Sequence, residues 1–167
     1  MYQPVKLSKH EARVTRYVKQ AASKDSARPV LQGLNVNGNL EAADGFRYHA
    51  ARTPEPLTQF TDRIIEFDKQ PPATGGYVEA GVIDGIFPDC KSLIPTTDPV
   101  IEFSVNPKYL IEALKELSDV PMLKIRVHSQ YAPIEVLGVI ETGNESTPVY
   151  ALIMPMNVDD ANNNWKP

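Results

Sequence analysis

ARPVLQGLNVNGNLEAADGFRYHA, residues 27–50, carries two hairpin signals close together. Asn37-Gly38 and Asp44-Gly45 each set a residue that tolerates positive φ beside a glycine, and a type I′ turn needs positive φ at both central positions. The apolar runs around them, VLQGLNV, NLEAA and FRYHAA, are therefore expected to be three short strands in hairpin order. Asp44 reads as a turn former rather than a catalytic carboxylate, because Asp ahead of Gly hydrogen-bonds its own backbone. Arg47 and Tyr48 then alternate across the following strand, so one of them faces outward.

Upstream of this stretch, Ser8-Lys9-His10-Glu11 is a capping box, in which the serine side chain and the glutamate carboxylate satisfy free amides at a helix start. Val14, Tyr17, Val18 and Ala21 follow at i, i+3, i+4 and i+7, which predicts one apolar stripe. Lys9, His10, Arg13, Arg16, Lys19 and Gln20 occupy the remaining surface, so the outer face is mostly basic. A short strand-like piece, VKL, precedes the helix.

Downstream, FTDRIIEFD is a strand candidate, KQPPATGG is a loop of structure-breaking residues, and YVEAGVIDGI returns as a strand. PVIEFSV alternates Ile101, Phe103 and Val105 on one side, and Asn106-Pro107 supplies an N-cap followed by a proline at the first helical position. The second helix carries Leu110, Ala113, Leu114 and Leu117 at i, i+3, i+4 and i+7. MLKIRVHS, APIEVLGVIE and PVYALIMPM complete three further strands. The order strand, helix, three strands thus occurs twice.

That duplication predicts an α+β protein of two β-α-β-β-β repeats, with strands joined in sheets on the outside and both helices on one face. Repeat one covers about residues 1–70, a linker about 71–98, and repeat two about 99–156; together they make a single domain, 1–156. The Asn/Asp-rich residues 157–167, with Trp165 as their anchor, are expected to be a flexible tail.

Composition narrows the function class. A chain of 167 residues with 23% charged and 42% hydrophobic residues has the makeup of one folded domain. A net charge of -4 excludes a protein that coats nucleic acid by bulk charge, although a basic stripe fits inside an acidic total. The lone Cys90 permits no internal disulfide and reads as a small, half-buried residue in a reducing, cytoplasmic setting. No run approaches the ~18 apolar residues of a membrane span, so no membrane partner is expected. His10, His49 and His128 lack metal-ligand spacing, and no phosphate loop, H-E-x-x-H, C-x-x-C or G-x-S-x-G occurs. The expectation is a noncatalytic protein without metal or cofactor.

The opening stretch resembles the bacterial DNA polymerase III β subunit, the sliding clamp, in which an R-P-x-L-x-G strand precedes A-T-D-G-x-R-L-A; here the latter reads Ala42-Ala43-Asp44-Gly45-Phe46-Arg47-Tyr48-His49-Ala50. GIFPDCKSLIP resembles the family's F-P-D-Y-x-x-x-x-P linker, SVNPKYLIEALKEL its F-N-x-x-Y-L-x-D-A-L helix start, and VYALIMPM its Y-V-V-M-P-M ending. These four motifs occur in the family's order across nearly the whole chain. The resemblance implies a DNA-clamp-like domain of DNA replication or repair.

In clamps, the Asp-Gly turn, the F-P-D-Y linker and the M-P-M ending converge on an apolar pocket that takes linear peptides of polymerases, clamp loaders and repair proteins. The matching residues are Gly45, Arg47, Tyr48, Pro88, Leu93, Leu152, Ile153, Met154, Pro155 and Met156. Met, Leu and Pro suit an adaptable apolar surface. Clamp helices also touch the backbone of double-stranded DNA without reading sequence, which calls for Lys and Arg at phosphate distance. Lys9, Arg13, Arg16 and Lys19 on the first helix, with Lys108 and Lys115 on the second, are the candidates. A solvated helix face is the competing account of the same charges.

Departures accompany the resemblance. A clamp chain holds three domains and closes a six-domain ring as a dimer, whereas the two repeats here amount to one domain. The front half looks like the start of a middle domain and the back half like the end of a final one. A homo-oligomer of six copies joined head to tail and a short open oligomer are both compatible with the residues. Ala43 replaces the usual Thr, Tyr48 the usual Leu, Cys90 the Tyr of F-P-D-Y and Ser92 a basic residue, which alters peptide specificity. The tail through Trp165 is expected to fold back over the pocket. The alternative function is a clamp-fold interaction module or decoy, for example phage- or plasmid-encoded, that does not encircle DNA.

Overall fold

A computed structural model describes residues 1–115, 117–142 and 144–156. The chain forms two compact units, Met1–Ile94 and a second that begins at Pro95. The expected tail and Trp165 lie outside the described residues.

The first unit contains β1 (Tyr2–Leu7), α1 (Lys9–Lys19), α2 (Pro29–Gln32), β2 (Leu34–Asn37), β3 (Asn39–Ala43), β4 (Tyr48–Arg52), β5 (Arg63–Phe67) and β6 (Gly76–Ile83). These six strands form one antiparallel sheet in the order β1-β6-β5-β2-β3-β4. The central position of β2 follows from its two hairpin-like neighbours: Val36 lies opposite Leu40 on one side and Arg63 on the other. Val5 and Leu7, Leu34 and Val36, Leu40 and Ala42, Ile65 and Phe67, and Val78 and Ala80 alternate into one core, as period-2 strands with one covered face require.

Helix α1 covers that face. Its capping box is formed: Glu11 N–H donates to Ser8 Oγ at 3.2 Å, and Ser8 N–H donates to Glu11 Oε2 at 2.7 Å. The buried stripe differs from the expected one. Ala12, Thr15 and Val18 are buried, with Ala21 just beyond the helix, while Tyr17 is exposed and Val14 half-buried. Thr15 is admitted to the core because its hydroxyl donates to the Glu11 carbonyl at 2.8 Å, so no polar group is stranded. Tyr17 instead stacks on His49 with ring centroids 4.7 Å apart, and His49 Nδ1–H donates to the Tyr17 carbonyl at 2.8 Å.

Two other expectations change. Residues 29–32 are a single helical turn, not the start of a strand, since Pro29 favours the first helical position and removes a ladder donor. The hairpin turns are not type I′: among Asn37, Gly38, Asp44 and Gly45 only the two glycines have positive φ, and the second loop runs for four residues between Ala43 and Tyr48. Residues 55–60 form a 3-10 helix whose Leu57 and Phe60 are buried, each contributing about 2 kcal/mol by leaving water. Strand β6, the strand expected in YVEAGVIDGI, is paired with both β1 and β5.

The second unit contains β7 (Ser104–Val105), α3 (Pro107–Lys115), β8 (Lys124–Arg126), β9 (Ile134–Thr142), β10 (Glu145–Ile153) and β11 (Pro155–Met156). Strands β10-β9-β8 form one antiparallel sheet, and β11 pairs with β7. Leu117, Ile134, Val136 and Ile153 make its core, with Leu110, Ala113 and Leu114 of the expected stripe packed against them. PVIEFSV is strand only at Ser104–Val105; Ile101 and Phe103 lie outside the ladder and are exposed. Every described strand pairing runs within one unit. No helix of the described residues is long and apolar enough to cross a membrane.

Candidate functional site

The loop between β3 and β4 is organised by Asp44. Its Oδ1 accepts the amides of Phe46 at 2.9 Å and Arg47 at 3.1 Å, and its Oδ2 accepts Arg47 Nε at 2.9 Å. The Phe46 amide first, and Arg47 after it, hold the Asp44 carboxyl below the usual carboxylate range. Gly45, at φ 95°, supplies the left-handed backbone this loop needs. The Arg28 guanidinium lies beside it, with Nη1 3.6 Å from where a Gly45 Cβ would stand. Between Gly45 and Arg47, Phe46 is 99% exposed.

Tyr48 opens β4 next to a buried polar group of the neighbouring strand. Glu41 of β3 is buried; its Oε2 accepts Asn35 Nδ2 at 3.1 Å, and Lys91 Nζ approaches Oε1 at 3.2 Å. The latter contact is an ion pair without hydrogen-bond alignment, for Oε1 has no aligned donor. Lys91 Nζ also donates to the Asn37 carbonyl at 3.2 Å. The Tyr48 hydroxyl is buried with no aligned hydrogen-bond partner, and burial first, then the Glu41 charge, push its pKa far above that of an ordinary phenol. Burial, then Glu41 and Asp89, also push the Cys90 thiol up, which keeps it protonated and unreactive.

The segment containing Cys90 is thus fastened to strands β2 and β3 of the first-unit sheet through Lys91. Pro88 and Leu93, on either side, are exposed, Leu93 to 79%. The candidates Gly45, Arg47, Tyr48, Pro88 and Leu93 all belong to the first unit. In the second unit, Ile153 points into the core opposite Ile134, while Leu152 and Met154 alternate outward and are exposed. Pro155 and Met156 pair with Val105 and Ser104, with Pro155 half-buried and Met156 exposed.

The basic candidates divide by environment. Lys9, Arg13 and Arg16 lie at i, i+4 and i+7 on one face of α1 and make no ion pair among the described residues. Lys19 departs from them: its Nζ lies 5.6 Å above the Phe67 ring, and burial lowers its pKa, against the opposing pull of Asp68 and Glu66. Lys108 of α3 pairs with Glu112 at 3.8 Å, and Lys115 is exposed.

Sequence reasoning missed Arg28, although it is the first residue of the R-P-x-L-x-G motif, and it missed Phe46 and the Glu41–Lys91 pair. The arginine was legible in the motif. The ion pair was not, since its partners are 50 positions apart in sequence and neither stands out by spacing.

This arrangement of strands and helices is similar to that of solved bacterial sliding clamps. The C. crescentus beta sliding clamp matches over 92% of this chain and 50% of its own, at TM-score 0.60 and 18% identity. DNA polymerase III subunit beta from Borrelia burgdorferi, solved with a natural product, matches over 90% of this chain and 49% of its own, at TM-score 0.58 and 19% identity. The Helicobacter pylori beta clamp bound to a DNA ligase peptide matches over 93% and 52%, at TM-score 0.57 and 11% identity. No family model and no curated protein matches the sequence. The chain has the fold of the bacterial DNA polymerase III β subunits and spans about half the length of the clamp chains it matches.

Proposed function

We propose that the protein is a noncatalytic, clamp-like component of DNA replication or repair that binds linear peptides of partner proteins. The observation that carries the proposal is the Asp44-organised loop. It presents Gly45, Arg47 and the half-buried Tyr48, which match one of the three clamp motifs that the resemblance links to peptide contact. The exposed Pro88 and Leu93 of the first unit, and the exposed Leu152, Met154 and Met156 of the second, are the apolar surfaces assigned to the same task. A relative of this fold was solved with a DNA ligase peptide bound, which supports the class of ligand.

The unpaired face of Lys9, Arg13 and Arg16 suits nonspecific contact with the phosphates of duplex DNA. The self-paired Lys108 makes α3 a lesser contributor. Fluorescence anisotropy with a labelled peptide rich in apolar side chains tests the first part. Binding that Leu93→Asp and Met154→Asp each weaken at least about tenfold supports it, and no binding at high micromolar peptide sinks it. Duplex binding whose salt slope falls on Arg13→Glu/Arg16→Glu supports the second part. Duplex affinity indifferent to that charge reversal leaves the interaction module that never encircles DNA.

A further inference from the structure

Behind the Asp44 loop, at the C-terminal end of α1, the first unit has a cleft of about 450 Å³ lined by Lys19, Lys24 and Arg47 together with Gln20, Gln32 and Gln70. Three cations and three amides face it, and among the described residues no carboxylate lines it. The usual consumers of such charge are already occupied. The last-turn carbonyls of α1 would attract cations, but each is taken: Arg16 O accepts Gln20 N–H, Val18 O accepts Ala21 N–H, Lys19 O accepts Ala22 N–H, and Tyr17 O accepts His49. Of the Arg47 guanidinium, Asp44 engages only Nε, which leaves both terminal Nη groups without a described hydrogen bond. Glu66 and Asp68, which attract Lys19 from outside the cleft, are engaged by the Tyr2 hydroxyl and the Glu79 amide.

We infer that this cleft is a subsite for acidic side chains of the partner peptide, flanking the apolar residues that the peptide buries. The inference rests on the proposed peptide-binding function and specifies its ligand. Arg47 links the two, because it lines the cleft and follows Gly45 in the loop assigned to the peptide. A carboxylate from an extended chain can enter a concavity and meet a planar guanidinium in a forked geometry. A duplex backbone is the poorer fit. Half-buried Lys19, held against Phe67, does not stand out from the surface as Lys9 and Arg13 do, and phosphate contact needs cations that project toward a broad convex ligand.

The test uses the full chain and two fluorescein-labelled peptides, each ending in the same three apolar residues, one preceded by three aspartates and its isosteric twin by three asparagines. Anisotropy at low salt is expected to show the acidic twin binding about tenfold more tightly. Lys24→Glu, an exposed substitution, is expected to erase that preference and leave the neutral twin unchanged. Equal affinities for the twins, or a preference that survives Lys24→Glu, overturn the subsite while the peptide-binding proposal stands. Failure of both twins to bind overturns the two together. If Lys24→Glu weakens a short duplex and not the acidic peptide, the cleft belongs to nucleic acid and the inference is wrong.

Discussion

The Lys91 ammonium lies 3.2 Å from the Glu41 carboxylate, whose side chain is only 4% exposed, so a residue of the F-P-D-C segment neutralises a charge buried on β3 of the first-unit sheet. A buried carboxylate left without its partner is expensive, whereas an apolar replacement of both partners costs little. Lys91 is itself 41% exposed, which tempers the effect through solvent screening. Lys91→Met is expected to lower unfolding free energy in urea by about 1–3 kcal/mol. Glu41→Gln added to it should restore most of the loss, and a Lys91→Met protein as stable as the parent would contradict the structural role assigned to the pair.

Tyr48 carries the opposite kind of buried polar atom, a hydroxyl with no aligned partner. Removing an unsatisfied buried group relieves its desolvation penalty, so Tyr48→Phe should be neutral or stabilising by about 1 kcal/mol. A clear drop in melting temperature would mean that the hydroxyl has a partner, most simply Glu41.

Acid should destabilise the protein through two carboxylates. The Ser8 backbone amide and side chain hold Glu11 below the ordinary glutamate value of 4.5, and the Phe46 amide holds Asp44 below the ordinary aspartate value of 3.8. A carboxylate depressed by folding stabilises the native state above its unfolded pKa, and that contribution fades as pH falls through the folded value. The melting temperature should therefore fall as pH drops below about 4.5. In a Glu11→Gln/Asp44→Asn variant the acid-side slope should be shallower; an unaltered slope would assign the acid sensitivity to other groups.

Ser8 tests the helix start independently of charge. Ser8→Ala removes the acceptor of the Glu11 amide and is expected to cost about 1 kcal/mol, while Ser8→Asp, which keeps an N-cap acceptor, should retain most of the stability. Denaturant midpoints for the three proteins decide it, and equal values for Ser8→Ala and the parent would contradict the role of the cap.

Lys19 separates stability from binding. Its ammonium is half-buried over Phe67 and disfavoured there by desolvation, so Lys19→Met should leave stability unchanged or raise it. The same change should weaken the acidic peptide relative to its asparagine twin. A strongly destabilised Lys19→Met protein would show that the ring contact outweighs the desolvation.

Much of the fold was legible because it rests on local chemistry. The Ser8–Glu11 box, the Asp44 turn and the α3 stripe depend on residues three or four positions apart, where backbone geometry alone brings the groups together. The α1 stripe was misjudged by a fraction of a turn. Apolarity favoured Tyr17, but the core took Thr15, whose hydroxyl could be satisfied within the helix, and Tyr17 found His49 on β4. The 3-10 helix at 55–60 has no periodicity of its own and exists because Leu57 and Phe60 fill the core beneath the sheet.

The candidate site divides in the same way. Gly45, Arg47 and Tyr48 were readable from a motif, since the turn that presents them is closed by Asp44 within three residues. Arg28 beside Gly45, Lys91 on Glu41 and the cleft shared by Lys19, Lys24 and Arg47 join positions far apart in the chain.

By itself, the amino-acid order determined where helices begin and where the chain turns, because caps, turns and stripes are short-range contests between a side chain and its own backbone. Tertiary structure alone decided which charges are spent. A cation's environment depends on what the sheet brings beside it, so Lys19 was drawn over Phe67 and Lys91 onto Glu41, while Lys9, Arg13 and Arg16 were left unpaired among the described residues.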